Sequence, residues 1–173
     1  QSYTADPQWS TRNAVLEVLD QVCQRASRKV FDEAEASGKK GMTTTIVAAV
    51  VGGGAAFLAH AGDSRAYLIR DGLIRQLTED HSMINELVRT GQMTYEEASR
   101  SRYRSVITRA VGLYPTVQTD LMSIEILPGD RILLNTDGLS DLVQSESIED
   151  IASQDDVQTA NDRLLQVALD AGG

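Results

Sequence analysis

Two short segments of this sequence place carboxylates where the chain turns beside a strand, and both could hold a cation. Gly62-Asp63-Ser64-Arg65 lies between two strand-like stretches, and Asp137-Gly138-Leu139-Ser140-Asp141 directly follows an apolar one. A carboxylate at the end of a buried strand is rigidly placed, and rigid oxygen ligands suit hard cations such as Mg²⁺ or Mn²⁺. Each segment alone is also consistent with an ordinary turn, in which Arg65 pairs with Asp63 or Asp141 caps a helical turn.

Two other groups of polar residues could take part in chemistry. Thr44 lies in the hydroxyl-rich segment 41–45 and could support a site from beneath, although such residues are also common strand formers. A basic cluster in this acidic chain consists of Arg100, Arg102, Arg104 and Arg109. Arginine suits bidentate recognition of phosphate. The same cluster is equally consistent with a solvated face that balances neighbouring glutamates.

The histidines and the cysteine indicate less. Neither His60 nor His81 has a partner at the sequence spacing of metal ligands, so no zinc-type motif is predicted. Cys23 lies on the apolar stripe of a predicted helix, which favours inert packing over a nucleophilic role.

The elements that must position these residues follow from the apolar pattern. Apolar residues recur at steps of three and four over 11–36, which predicts one amphipathic helix. Gly52-Gly53-Gly54 and Asp71-Gly72 are turn signals between apolar, β-branched stretches. They predict four strands, over 43–51, 55–61, 66–70 and 73–77. Because tight turns join them, we expect these four strands to form one antiparallel sheet.

The second half of the chain alternates between helical and strand-like sequence. Thr94 and Glu97 have the spacing of a capping box, which predicts the start of a helix. The remaining elements are predicted as a helix over 82–90, strands over 119–127 and 131–136, and closing helices over 147–152 and 157–168. Segregated runs of strands and helices favour an α+β fold over a doubly wound one.

Length and charge limit the function classes. A chain of 173 residues suits one domain, and no interdomain linker is visible. The net charge of −9 argues against binding to nucleic acid or anionic lipid. The longest apolar run, 46–51, is too short to span a membrane, and residues 1–7 have no signal-peptide pattern. We therefore expect a cytoplasmic protein with no membrane segment.

Six motifs stand in order along the chain. They are Gly41-Met42-Thr43-Thr44, Ala61-Gly62-Asp63-Ser64-Arg65-Ala66-Tyr67, Leu77-Thr78-Glu79-Asp80-His81-Ser82, Ile107-Thr108-Arg109-Ala110-Val111-Gly112, Pro128-Gly129-Asp130-Arg131 and Thr136-Asp137-Gly138-Leu139-Ser140-Asp141. In this order they resemble the bacterial branch of the metal-dependent Ser/Thr protein phosphatases, known as type 2C or PPM. The resemblance covers nearly all of residues 41–173.

The resemblance implies a fold and an activity. The fold is an α+β, four-layer α/β/β/α sandwich of antiparallel sheets flanked by helices, with 1–173 as one incomplete domain. The activity is hydrolysis of phosphoserine and phosphothreonine in proteins by a metal-activated water, in opposition to a Ser/Thr kinase. The complete domain would hold two or three Mn²⁺ or Mg²⁺ ions.

The resemblance also implies roles for individual residues. Asp137 matches a ligand of the binuclear centre, and Asp63 matches a ligand of a third, weaker metal shared with Asp137. The residues implied to be structural, or to support the ligands, are Asp141, Arg65, Gly62, Gly138 and Thr44. Residues 78–108 match a mobile flap beside the cleft. The arginines in it that could contact substrate are Arg100, Arg102 and Arg104.

Some parts of the resembled pattern have no counterpart here. The family's Asp-Gly-x-Gly-Gly-His motif, whose Asp bridges both metals, is not found before Gly41, and the final Gly-Gly-x-Asp-Asn stops at Gly172-Gly173. Two carboxylates cannot hold two metals of about six oxygen ligands each. We therefore expect the interior of an active phosphatase, with weak metal binding and weak catalysis by these residues alone. The alternative is a non-catalytic, phosphatase-like interaction domain.

Overall fold

The fold was analysed in a computed structural model that describes residues 12–103, 105–154 and 156–173. In chain order the elements are α1 (Arg12–Ser37), β1 (Ile46–Gly52), β2 (Ala55–Ala61), β3 (Arg65–Arg70), β4 (Leu73–Gln76), α2 (Met83–Arg89), α3 (Tyr95–Ser99), β5 (Asp120–Glu125), β6 (Arg131–Asn135), α4 (Asp137–Ser140), α5 (Ser145–Gln154) and α6 (Val157–Asp170). The chain forms two compact units. One contains the described residues up to Gly62 and His81–Ile126, and the other contains Asp63–Asp80 and Leu127–Gly173.

The first unit is a three-stranded antiparallel sheet in the order β1-β2-β5, with α1 packed against it. β2 is buried along its whole length and has a partner strand on each side. The apolar stripe of α1, which includes Val15, Leu19 and Cys23, joins the core formed by β2. Burial raises the pKa of the Cys23 thiol, as expected for inert packing. Gly62 therefore follows a strand that is fixed on both edges.

The second unit is a three-stranded antiparallel sheet in the order β4-β3-β6, with α4, α5 and α6 against it. Asp71 and Gly72 both have positive φ angles, of 53° and 79°, as a two-residue hairpin turn between β3 and β4 requires. The core packs Tyr67 and Ile69 of β3 against apolar residues of the three helices. Asp137 begins α4, two residues after the end of β6.

The helix predicted over 11–36 is α1, and both predicted hairpins and the capping box at Thr94 are confirmed. Antiparallel sheets flanked by helices are also confirmed. The prediction that the first four strands share one sheet is wrong. The second edge of β2 pairs with β5 and the second edge of β3 pairs with β6, so the two hairpins lie in different sheets. These pairings join strands far apart in the chain, which local turn signals do not encode.

The described part of 78–108 contains two short helices, each with a capped start. The Ser82 hydroxyl accepts a hydrogen bond from the N–H of Asn85 at the start of α2. Thr94 and Glu97 bond each other's backbone at the start of α3. Of the predicted substrate contacts in this segment, Arg104 lies outside the described residues. The function of the segment as a flap stays a prediction.

None of the described helices meets the requirements of a membrane span. Among the residues that the structure describes, no helix is both long enough and apolar enough to cross a bilayer. The longest, α1, has 26 residues, but its outer face carries charged side chains.

Candidate metal centre

Asp63 and Asp137 are brought together by the register of the second sheet. Arg65 of β3 pairs with Asn135 of β6. Asp63 lies two residues before Arg65, and Asp137 lies two residues after Asn135. Because the two strands are antiparallel, both aspartates lie just outside the same end of the β3–β6 ladder.

The electrostatic surroundings of Asp63 show that carboxylates are concentrated there. Burial raises the pKa of Asp63, and the negative charge of Asp137 raises it further. Asp80 and Asp141 add smaller contributions of the same sign. Like charges held near one another oppose ionisation, whereas a bound cation favours it. The chemistry of this donor set therefore fits a divalent cation with a preference for oxygen ligands.

Asp137 is held in place by the short helix that it begins. Its carbonyl accepts a hydrogen bond from the N–H of Asp141, which ends the helix at its C-cap. Leu139, between them, is buried in the core of the second unit. A Cβ atom on Gly138 would lie 3.4 Å from the Thr136 hydroxyl, which is an ordinary van der Waals contact, so a structural role for Gly138 stays a prediction. The core thus anchors a turn whose first side chain, Asp137, is exposed.

Arg65 pairs with Asp80, and the interpretation in which it pairs with Asp63 is wrong. Its Nε donates to both carboxylate oxygens of Asp80, at 2.9 and 3.1 Å, and its Nη2 donates to Oδ2 at 2.6 Å. Hydrogen bonding to Asp80 raises the pKa of the Arg65 guanidinium above its ordinary value. The pair ties the start of β3 to the segment after β4, which fixes the backbone that follows Asp63.

Replacing Asp80 with Asn is expected to lower the free energy of unfolding by about 1–3 kcal/mol, because a charged and largely buried hydrogen-bond pair is lost. The side chains of Arg65 and Asp80 are only 23% and 17% exposed. The matched control is Glu96→Gln in the Glu96–Arg100 pair, whose side chains are 77% and 78% exposed. That change should cost no more than about 0.5 kcal/mol. Urea denaturation of both variants measures the difference, and equal effects would contradict this account.

Gly62 and Thr44 occupy different surroundings. Gly62 has a φ of +123°, and a Cβ atom added there would lie 2.4 Å from Thr45 Cγ2. Only glycine fits this position without a shift in the backbone. Thr44 is exposed, pairs through its backbone with Val111, and donates its hydroxyl to the Thr45 carbonyl. Support of the metal centre by Thr44 stays a prediction.

The described arginines of the basic cluster differ in their surroundings. Arg100 contacts Glu96 at 3.1 Å on an exposed helix face, and Arg102 stacks over the ring of Tyr103 at 4.7 Å. Both are consistent with a solvated face, and their contact with substrate stays a prediction. Arg109 is only 30% exposed and donates to Asp120 at 2.8 Å. It therefore belongs to an internal network.

That network joins the two histidines to Asp120, an arrangement that sequence spacing did not reveal. One ligand-type atom from each of His60, His81 and Asp120 lies within 4.8 Å of the others. The register of β2 with β5 places His60 opposite Asp120, and His81 contacts Asp120 across 39 residues of sequence. The three residues could have been grouped from the sequence only if the pairing of β2 with β5 had been predicted.

The contacts of this group argue for a hydrogen-bond network instead of a metal site. The Gly62 N–H donates to His81 Nδ1 at 3.1 Å, so the geometry assigns the ring proton to Nε2, which donates to Asp120 Oδ2 at 3.1 Å. Arg109 Nη1 lies 3.0 Å from that Nε2. Burial opposes a low pKa at Asp120, but the hydrogen bond from His81 and the charge of Arg109 outweigh it and lower the pKa. A guanidinium already compensates the carboxylate.

The chain is similar to known proteins over almost its whole length. Residues 3–172 match the family model described as protein phosphatase 2C. The chain belongs to the protein phosphatase 2C family. The family predicted from the six motifs is thus confirmed, and with it the class of enzyme, a protein Ser/Thr phosphatase.

Named relatives of this protein phosphatase 2C chain are bacterial. Protein phosphatase PhpP of Streptococcus pneumoniae (strain D39) is 34% identical over 169 residues, which cover 97% of this chain and 69% of PhpP. The solved serine/threonine phosphatase of S. agalactiae superposes with a TM-score of 0.90 at 31% identity, covering 98% of this chain and 70% of that one. The catalytic domain of PstP, solved in complex with two manganese ions, gives a TM-score of 0.81 at 35% identity, with 91% and 66% covered.

Proposed function

We propose that the protein containing these residues hydrolyses phosphoserine and phosphothreonine in other proteins, with Asp63 and Asp137 as ligands of divalent cations. The observation that carries the assignment is the β3–β6 pairing, whose last pair, Arg65 with Asn135, lies two residues from each aspartate at one end of the second sheet. The raised pKa of Asp63, due to burial and then to the charge of Asp137, supports it. Membership of the protein phosphatase 2C family supports the reaction class.

The ions proposed are Mn²⁺ or Mg²⁺, two or three in a complete domain. Both aspartates offer only carboxylate oxygens, which hard cations prefer over softer metals. The two manganese ions of the PstP structure support the choice. Such ions supply a water of lowered pKa and positive charge beside the phosphoryl oxygens.

Other residues of the chain hold the two proposed metal ligands in position. Asp137 is fixed by a helix anchored through Leu139, and Asp63 by the pairing of Arg65 with Asp80. A phosphate ester would be repelled by the net charge of −9 unless local positive charge compensates it. We propose that Arg100, Arg102 and Arg104, within a flap over 78–108, add to that compensation by contacting the phosphoprotein. Opposition to a Ser/Thr kinase in the cytoplasm belongs to the same proposal.

The proposal is tested by metal removal. The longest natural chain that contains these residues is assayed on a phosphothreonine peptide and on a matched phosphotyrosine peptide. Excess EDTA should abolish hydrolysis of the phosphothreonine peptide, and Mn²⁺ added beyond the chelator should restore it. Hydrolysis that persists in EDTA would contradict the proposal. A folded protein that is inactive with Mn²⁺ would favour the phosphatase-like interaction domain instead.

A further inference from the structure

We infer that His81 is a positioning residue for Asp63, because it holds both backbone polar groups of Gly62, the residue immediately before it. The inference rests on the proposed function, in which Asp63 is a metal ligand. It concerns the contacts of Gly62 and His81, both in the first unit, and the peptide bond that joins Gly62 to Asp63. We call the two hydrogen bonds between Gly62 and His81 the Gly62–His81 clamp.

The Gly62–His81 clamp consists of two bonds in opposite directions. The N–H of Gly62 donates to the Nδ1 atom of His81 at 3.1 Å, and the N–H of His81 donates to the carbonyl of Gly62 at 2.8 Å. Both residues are buried. The Gly62 carbonyl belongs to the planar peptide group that ends at the Cα of Asp63. The carbonyl bond fixes this peptide group, and the bond to Nδ1 fixes the preceding one, which contains the Gly62 N–H. Together the two bonds fix both backbone torsion angles of Gly62, and with them the plane from which the Asp63 side chain departs.

Thr45 also packs against Gly62. A Cβ atom on Gly62 would lie 2.4 Å from Cγ2 and 2.5 Å from Cβ of Thr45, so the threonine packs directly on the glycine backbone. The φ of Gly62 is +123°, in a region that side-chain-bearing residues rarely adopt. The Gly62 backbone is thus restrained both by the hydrogen bonds to His81 and by the close packing of Thr45.

His81 is itself held by three neighbours. Its Nε2 donates to Asp120 at 3.1 Å, and Arg109 donates to the other oxygen of Asp120 at 2.8 Å. The ring stacks on His60 with 4.7 Å between centroids. Donation from Nε2 keeps Nδ1 free of a proton, which is the form that can accept from Gly62. Asp120 and Arg109 thereby maintain the tautomer that the Gly62–His81 clamp requires.

Restraint of the Asp63 backbone matters because neighbouring carboxylates repel the Asp63 carboxylate. The charges of Asp137, Asp80 and Asp141 all oppose its ionisation. Before a cation binds, an unrestrained Asp63 would turn away from Asp137, and the reorientation would weaken cation binding. Hydrogen-bonded partners that orient metal ligands typically change metal affinity by about 10–100-fold when removed.

Two substitutions at one position separate the Gly62–His81 clamp from simple packing. The amide oxygen of Asn in His81→Asn can replace Nδ1 as the acceptor for Gly62. The longer Gln in His81→Gln places its amide near the Nε2 position, where it reaches Asp120 and leaves Gly62 without its acceptor. Both remove the stacked ring. A merely structural role predicts similar effects for both variants, whereas a positioning role predicts that only His81→Gln is strongly affected.

The first readout needs no metal. In the longest natural chain that contains these residues, labelled with ¹⁵N-glycine, the hydrogen exchange of the Gly62 amide can be followed directly. In His81→Gln we expect exchange to be about tenfold faster or more, and in His81→Asn close to the parent rate. Equal exchange rates in the parent and His81→Gln would overturn the inference.

The second readout is the affinity for Mn²⁺, measured by calorimetry on the longest natural chain. The relevant binding event is the one that is lost in the variant Asp63→Asn. His81→Gln should weaken it by about 10–100-fold and His81→Asn by no more than about threefold. Equal affinities in the two variants, with normal binding by the parent protein, would overturn the positioning role alone. If the parent protein shows no Mn²⁺ binding that depends on Asp63, then Asp63 is not a metal ligand, and the inference fails with it.

A further variant covers the case in which His81→Gln does not fold. Asp120→Ala removes the acceptor that fixes the tautomer, at a side chain that is 43% exposed. It should change both readouts in the same direction as His81→Gln. Unchanged Gly62 exchange and unchanged Mn²⁺ affinity in Asp120→Ala would overturn the inference.

Discussion

Exchanging Asp137 for Asn is expected to lower Mn²⁺-dependent hydrolysis of a phosphothreonine peptide by at least about 100-fold, since even residues that only orient metal ligands affect metal sites by about 10–100-fold. The amide keeps the size of the side chain but removes the charge that binds a cation. Asp137 is exposed, and its charge helps to raise the pKa of Asp63. The metal-free variant should therefore be at least as stable as the parent protein.

The combination of lost activity with unchanged or higher stability distinguishes a ligand from a structural residue. The matched control is Asp162→Asn, an exposed carboxylate of α6 in the same unit, where activity should stay within about twofold because the side chain contacts only the solvated helix face. Peptide hydrolysis with Mn²⁺ and thermal unfolding with EDTA measure the two effects. If Asp137→Asn kept full activity, Asp137 would not be a ligand. If it lost both activity and stability, it would be structural.

The largest effect on stability is expected from Gly112→Ala, at about 3 kcal/mol or more, from an unfavourable φ and an overpacked contact together. Gly112 has a φ of +85°, and an added Cβ would lie 2.3 Å from Cγ1 and 2.9 Å from Cβ of Val30. The backbone cannot readily shift, because the Gly112 N–H donates to the hydroxyl of fully buried Ser27. Urea denaturation of the variant measures the loss.

Two comparisons separate the causes of that loss. Gly129 has a φ of +95° with no atom within 4 Å of an added Cβ, so Gly129→Ala measures the backbone term alone, at about 1–2 kcal/mol. Val30→Ala removes the Cγ1 atom that Gly112→Ala would meet. The double variant should be more stable than the sum of the single effects predicts, by about 1 kcal/mol. Strict additivity would show that the contact with Val30 is not the cause.

Features with a local signature could be predicted from the sequence. The 26 residues of α1 follow from its apolar stripe, and the β3–β4 turn follows from Asp71-Gly72, where both φ angles are positive. The order of the six motifs was sufficient to identify the family and to select Asp63 and Asp137 as ligand candidates. The helix and the turn are each determined by residues close together in the chain, and each of the six motifs is itself a short run of consecutive residues.

Features that depend on distant strand pairing could not be predicted in the same way. The separation of the hairpins into two sheets depends on β5 and β6, which lie far along the chain from β2 and β3. The same pairing creates the His60, His81 and Asp120 group, since it places His60 opposite Asp120. Arg65 lies close in sequence to Asp63, yet its bidentate partner is Asp80, which the β3–β4 hairpin returns to it.

The discontinuity of both units has a consequence for synthesis on the ribosome. The β3–β4 hairpin emerges early, but its third strand, β6, follows only after the residues that complete the first sheet have been made. A two-stranded hairpin is at most marginally stable in water. Until β6 emerges, the apolar side chains of Tyr67, Leu68 and Ile69 lack the neighbours that bury them in the finished protein. This interval is when the nascent chain is most exposed to aggregation, so chaperone capture is most valuable there.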